Sequence, residues 1–465
     1  MTRISTETIQ IIIELLAAFL NDEGTSTFEQ YKANPQVFHY YIEIIRYWSK
    51  INFILRKTLR SLNLMKIFDK PPPESASFQD LLQGIYFYAT YRMIWEQASP
   101  NTILNELENY KERLNKEFQF AQFLYKLQTF DWEIAVAGKT HIERLSLEEA
   151  MPTFVLRHLV PVMPFEFLQQ NLQFMNNMST LTDCTIRINP IIDDESESEL
   201  IQRIQSDFMR EGVSFRQDPE VHHLFYVPFN KRTIILKNRW YQSGYLIFQD
   251  KASAIIAQIL DPQPGEVIWD MCAAPGLKTS LIGQSSTSLI MATDIHLGRT
   301  YEMHNLLGQL RIKDLIHIIN ADGINAPIRS GCLFDKILLD APCTGSGTFF
   351  TNPSLKWRQD IKFLWQNRFF QMKLFEAALQ RLKPHGVLVY STCSLYEEEG
   401  EMQILKFLDK LVPRNLPDWF SPSYKMGAEP LAGTGRLFPA IHHTQGFFIA
   451  KFEKKRIQNE IKQDL

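Results

Sequence analysis

Cysteine is scarce in this chain. There are five in 465 residues, at positions 184, 272, 332, 343 and 393, and no two form a Cys-x-x-Cys pair. So sparse and odd a set argues against a disulfide framework and fits a reducing, cytoplasmic compartment. Without zinc-type spacing no metal is expected. Long apolar runs are also missing. The strongest, Thr8–Leu16, is interrupted by Gln10 and Glu14 and followed by Asp22 and Glu23. It is too short and too mixed for a bilayer span or a leader, so it reads as a core-facing helix and no membrane partner is expected. Neither sign of charge dominates: 49 Lys and Arg stand against 52 Asp and Glu, a net −3. Any nucleic-acid contact must therefore come from local basic clusters. There is no Walker loop and no Gly-x-Gly-x-x-Gly, which disfavours ATP and NAD.

What is present is an ordinary globular balance, 45% hydrophobic and 22% charged, in a chain long enough for two or three domains. Residues 1–150 read as all-helical. Apolar and aromatic positions recur at three- and four-residue spacing over 38–62, and further helices are predicted over Phe78–Gln97 and Ile103–Thr129, with a break at Pro71-Pro72-Pro73. Residues 151–245 read as connector helices followed by a small α/β domain. Its strands are expected at Cys184–Pro190, Phe225–Val227 and Thr233–Leu236, and its helix at Asp193–Glu211. Lys231, Arg232, Lys237 and Arg239, beside Trp240 and Tyr241, form its densest basic-aromatic cluster. That mixture suits phosphate contact with base stacking, and equally a solvated hairpin. From 246 to 456 strands and helices alternate, which predicts a doubly wound, Rossmann-like parallel sheet, and 457–465 is a charged tail.

The chemistry concentrates at the predicted strand ends. Lys336–Leu339 runs into Asp340-Ala341-Pro342-Cys343, and Val387–Tyr390 runs into Ser391-Thr392-Cys393. The carboxyl ends of parallel strands line the active crevice, so two strands delivering thiols there point to thiol chemistry. After the first strand, Cys272-Ala273-Ala274-Pro275-Gly276-Leu277-Lys278 offers small residues and a glycine for close ligand approach at a helix N-terminus. The second strand ends in Asp294, about twenty residues on and placed for ribose hydroxyls, and Asp322 after the third is placed for an adenine edge. Each aspartate alone could be a helix cap. Their order describes S-adenosylmethionine.

Cys-Ala-Ala-Pro-Gly-Leu-Lys-Thr at 272–279, Asp-Ala-Pro-Cys-Thr-Gly at 340–345, Asn-Pro-x-x-Lys-Trp at 352–357, Ser-Thr-Cys-Ser at 391–394 and the closing Arg436-Leu437-Phe438-Pro439 resemble the Sun-type RNA cytosine-5 methyltransferases. The leading helical region resembles, more weakly, the NusB-like domain of the bacterial ribosomal RNA members, and the small domain is expected to be RRM-like. The chain departs from the family pattern at Leu277, where a second glycine is usual, at Phe349–Asn352, where arginines are common, in Tyr396–Glu401 and at Gln445. The resemblance implies Cys393 as the nucleophile on cytosine C6 and Cys343 as the group assisting proton removal and release. It further implies Asp340 beside the base or the cofactor's ammonium, Lys278 stabilising developing charge, and the 272–278 loop with Asp294, Asp322 and Asp340 around S-adenosylmethionine. Lys356, Trp357 and Arg358, with Arg368 and Lys373 further on, are expected to meet single-stranded or flipped ribosomal or transfer RNA. A monomer is the expected state. The rival is a non-catalytic RNA-binding or ribosome-assembly factor; amide methylation is disfavoured because Asp-Ala-Pro-Cys replaces Asn-Pro-Pro-Tyr.

Overall fold

The computed structural model describes residues 4–20, 31, 34–65, 76–177, 183–190, 196–285 and 288–456. Two compact units emerge, Met1–Leu156 and Arg157–Leu465. Among the described residues every secondary-structure element of the first is a helix. The periodic stretch 38–62 forms two helices, Pro35–Arg46 and Trp48–Ser61, rather than one. Asn34 caps the former by accepting from the Gln36 and Val37 amides, ahead of Pro35. The single helix expected over 103–129 is three: Pro100–Glu106, Glu108–Phe118 and Phe120–Gln128. The last break falls at Gln119, whose φ of 49° is left-handed and ends a helix. Pro71-Pro72-Pro73 lies outside the described residues.

Within the second unit, residues 183–248 run strand–helix–strand–strand–two short helices–strand. The strands are β1 (Asp183–Ile188), β2 (Arg216–Gln217), β3 (Leu224–Pro228) and β4 (Leu246–Phe248), in the order β2-β3-β1-β4, with all pairs antiparallel. This is the split β-α-β pattern of RRM-like modules. The helix Glu197–Arg210 starts in a Ser196/Glu199 capping box and buries Leu200, Ile204 and Phe208 against the sheet. Thr233–Leu236, expected as a strand, is instead inside the helix Arg232–Lys237. β-branching favours a strand there. Yet only Ile235 reaches the core, and a single helical turn after the Phe229–Lys231 turn buries it while Thr233 and Ile234 stay in solvent.

The larger sheet contains β5 (Val267–Asp270), β6 (Leu289–Asp294), β7 (Ile316–Asn320), β8 (Phe334–Asp340), β9 (Leu382–Thr392), β10 (Leu411–Pro413), β11 (Ser421–Pro422), β12 (Thr434–Leu437) and β13 (Phe447–Lys454). Its order is β11-β12-β13-β9-β8-β5-β6-β7, with β10 also on β13. Strands β5 to β9 pair in parallel, and β13 closes the sheet antiparallel to β9. From β5 the chain builds outward through β6 and β7, then crosses back to β8 and β9. The order therefore reverses between β5 and β8, and a crevice opens at their carboxyl ends. Both faces are covered. Ile268, Ile290, Leu338 and Val389 lie in one buried cluster, and Trp269, Ile337, Leu339 and Tyr390 in the other. This is the burial that continuous apolar strands require.

One buried ion pair fixes the chain just beyond β9. Arg436 and Glu401 are both fully buried and meet in two bonds, Nε to Oε1 at 2.8 Å and Nη2 to Oε2 at 2.6 Å. The same guanidinium donates to the carbonyls of Ser394 at 3.0 Å and Tyr396 at 3.3 Å. Removing one partner strands the other charge. Arg436→Met should therefore destabilise the unit by roughly 3–5 kcal/mol in denaturant titrations, with recovery in the Glu401→Leu/Arg436→Met double variant. A single-variant loss within about 0.5 kcal/mol of zero would contradict that role.

Candidate active site

Strands β8 and β9 pair in register, Asp340 opposite Ser391, and the Ala341 amide continues the ladder to the Ser391 carbonyl at 2.9 Å. Each chain then leaves the sheet toward a cysteine. The result is a contact of 3.2 Å between the sulfurs of Cys343 and Cys393, which are fifty residues apart in sequence. Neither cysteine is in a disulfide, and both are partly accessible.

Several buried groups hold the two loops together. The Gly347 amide donates to the Cys393 carbonyl at 3.0 Å, and the Gly446 amide to the Gly347 carbonyl at 2.9 Å. A Cβ on Gly347 would lie 2.0 Å from the Gly446 oxygen, so only glycine permits this approach of backbones. Glu399, fully buried, accepts from the Thr344 amide at 2.9 Å, from the Thr344 hydroxyl at 2.5 Å and from Gln371 at 3.0 Å. Its backbone carbonyl accepts from the Tyr390 hydroxyl at 2.8 Å. Burial pushes the Glu399 carboxyl up, against the pull of these donors. One carboxylate thus ties the Cys343 loop to the segment after Cys393.

Beside the sulfurs, Lys278 Nζ lies 2.7 Å from Asp340 Oδ2, and Ser391 Oγ donates to Asp340 Oδ1 at 2.6 Å. Burial pulls the Lys278 ammonium down, but Asp340 outweighs it, so the group stays firmly charged. The Cys343 thiol is pushed well up, first by its hydrogen bond to Cys393 and then by burial. The two sulfurs share one hydrogen bond in which either can be the donor.

The loop after β5 is shaped for close approach. Ala274-Pro275 is cis, and Gly276 has φ of 99° with Met303 Cγ only 2.8 Å from where a Cβ would sit. Asp294, nearly buried at the end of β6, accepts from the Ala274 amide at 3.2 Å and the His296 amide at 2.9 Å, so it braces the loop. Leu277 opens the helix Leu277–Ser285, placing Lys278 in its first turn. Asp322 caps its own turn, Oδ1 accepting from the Ile324 amide at 2.9 Å and Oδ2 from Asn325 at 3.0 Å. The Cys272 thiol is pushed well up by burial and by Asp270.

The expected RNA contacts do not come together. Lys231, Arg232, Lys237 and Arg239 lie on or beside the two short helices Arg232–Lys237 and Arg239–Gln242 of the small domain. Arg232, Lys237 and Arg239 are exposed and Lys231 partly so. Arg239 pairs with Asp207 at 2.5 Å, and Trp240 is buried with its indole N–H on the same carboxylate at 3.0 Å, so that ring offers no stacking face. Trp357 is half-buried and Arg358 exposed. Lys356 is a correction: it is fully buried, with its ammonium on the Asn176 side chain, and cannot reach a phosphate.

Sequence reasoning overlooked Asp270. It ends β5 as Asp340 ends β8, which was the available signal. Its Oδ2 accepts from Thr279 at 2.7 Å, while its buried Oδ1 has no hydrogen-bond partner among the described residues. Burial, with Asp340 and Asp294 adding repulsion, pushes its carboxyl up to about 7.

Comparisons place this site among known proteins. Residues 257–453 match the family described as 16S rRNA methyltransferase RsmB/F. A probable ribosomal RNA small subunit methyltransferase B of Synechocystis is 37% identical over 221 residues, 46% of this chain and 49% of that protein. A 28S rRNA (cytosine-C(5))-methyltransferase of Mus musculus is 36% identical over 228 residues, 46% of this chain and 28% of that protein. The chain thus spans about half or less of these curated relatives. The crystal structure of PH0851 superposes with a TM-score of 0.74 at 24% identity, covering 97% of this chain and all of that one, so the two share a fold.

Asp270 generates a pH signature. A carboxyl raised from 3.8 to about 7 by folding leaves the native state holding more protons, so its contribution to stability is full below about pH 4 and is lost as pH rises toward 7. Asp270→Asn should remove that slope: thermal melts of variant and wild type should converge near pH 4, with the variant gaining relative to wild type up to about pH 7. A pH-independent difference between the two would contradict it.

Proposed function

We propose, because residues 257–453 match the family described as 16S rRNA methyltransferase RsmB/F, that this chain is an S-adenosylmethionine-dependent RNA cytosine-5 methyltransferase. The names of its relatives favour ribosomal RNA over transfer RNA as the substrate. The observation that carries the reading is the 3.2 Å approach of Cys343 and Cys393 beside the Lys278–Asp340 pair.

The cofactor fits the residues present. Among the described residues the buried Asp270 Oδ1 has no hydrogen-bond partner, which provides an acceptor for a cationic group. The loop Cys272–Lys278 would hold it, with Asp294 at the ribose, Asp322 at the adenine and Asp340 near the amino-acid end. When bound, it supplies an electrophilic methyl group. The chain's own residues do the rest. The Cys393 sulfur adds to C6 of a cytosine, forming an S–C6 bond and making C5 electron-rich. Asp340, placed by Ser391 and Lys278, holds the base edge and relays to N3 the proton that the Cys393 thiol gives up as the adduct forms. Lys278 balances the negative charge that appears during addition. With Cys393 bonded to C6 and the methyl group on C5, Cys343, its own proton released to solvent, takes the C5 proton; the S–C6 bond breaks, and the N3 proton returns through Asp340 to the departing Cys393 sulfur.

Each thiol has a distinct failure. Cys343→Ala, given RNA and S-adenosylmethionine, should accumulate a denaturant-resistant protein–RNA adduct on gels. Cys393→Ala should give no adduct and no methyl transfer. If neither change alters methylation and no adduct forms, the non-catalytic RNA-binding reading takes its place.

A further inference from the structure

The helix Ile361–Arg381 crosses from β8 to β9, so its first turns stand at the sheet edge that carries the two thiols. Its inner face is buried at Leu364, Gln371, Leu374 and Phe375. Gln371 Nε2 donates to the Pro342 carbonyl at 2.8 Å, and Gln359, just before the helix, donates to the Thr344 carbonyl at 3.0 Å. The helix is thereby anchored to the Cys343 loop on both sides of the thiol.

Its outer face is unusual. Ile361, Trp365 and Phe369, at four-residue spacing, are 53%, 52% and 54% exposed, and Phe370 is 50% exposed. This apolar exposure is confined to the first ten residues, the half nearest the thiols. Large rings left in water at that density mark an interaction surface. Cations attend them. The part-buried Arg368 guanidinium lies 4.5 Å from the Trp365 ring centre. Lys373, paired with Glu376 at 3.0 Å, stands 6.0 Å from the Phe369 ring centre. Exposed rings with partly exposed cations against them suit a polyanion that carries its own π-faces. An acidic protein would be served by the charges but would leave the rings without stacking partners.

We infer that this face is a stacking platform for single-stranded RNA, taking unpaired bases that flank the target cytosine on Trp365 and Phe369, with Arg368 and Lys373 at the backbone. The inference rests on the RNA methyltransferase reading and adds where the substrate strand lies. It also supplies the local contact that a net charge of −3 requires.

The test is fluorescence anisotropy of the full chain with a labelled, unpaired twenty-nucleotide RNA and with the same RNA annealed into a duplex. Trp365→Ala and Phe369→Ala should each weaken single-strand binding about tenfold, and Trp365→Phe should retain most of the affinity. The salt slope should stay unchanged for the ring variants and fall by about one for Arg368→Ala. Both aromatic positions are exposed, and matched melting curves check the fold. Wild-type single-strand affinity retained in both alanine variants would overturn the platform, as would a loss equal for duplex and single strand. If Cys343→Ala still traps RNA while the ring variants bind normally, the platform alone falls. If wild type neither binds nor traps RNA, the underlying reading falls with it.

Discussion

Everything at the candidate site depends on the parallel pairing of β8 with β9. With Asp340 set opposite Ser391, the residues that follow must leave the sheet side by side, and the two sulfurs meet. The ladder alone does not hold the meeting point, because both chains have left it by then. Glu399 and Arg436, fully buried, take over: the first binds the Thr344 amide and hydroxyl, the second the Ser394 and Tyr396 carbonyls. Buried charges that bind backbone fix position more tightly than apolar packing, because leaving any of those bonds unmade carries a full desolvation penalty.

The same crevice has an electrostatic order. Asp270, Asp294 and Asp340 converge at the ends of β5, β6 and β8, with Lys278 committed to Asp340. Asp294 accepts from backbone amides and lies 3.7 Å from the half-exposed Arg299 guanidinium, while Asp270 pairs with no cation among the described residues. Such an excess of buried negative charge is unfavourable for the protein alone and favourable for a cationic ligand. That is why the acidic edge and the positively charged sulfonium and ammonium of the proposed cofactor belong to one account.

Much of the larger sheet was legible because its strands are short continuous apolar runs ending in acids or thiols, and parallel α/β topology leaves few ways to arrange them. The position of Cys343 against Cys393 followed from that. Other features were not legible, for identifiable reasons. Thr233–Leu236 has strand composition, but one core position decides its conformation. Lys356 lies in a basic-aromatic run that looks like surface, while the fold buries it against Asn176. Glu399 sits in Tyr396–Glu401, noted only as a departure from the family pattern; its role depends on partners 55 and 28 residues away. Trp365 and Phe369 carry no sequence signal of their own, and only the packed structure shows them facing water.

The claim beneath all of this is that one pocket holds both sulfurs within bonding reach of a single bridging atom. A trivalent organic arsenical tests it directly, since one arsenic binds two thiols with loss of water only where they are adjacent. Peptide mapping after such treatment should show one equivalent bound per chain, with Cys343 and Cys393 both protected from alkylation. Independent alkylation of the two at undiminished rates, with no bridged arsenic, would contradict the account.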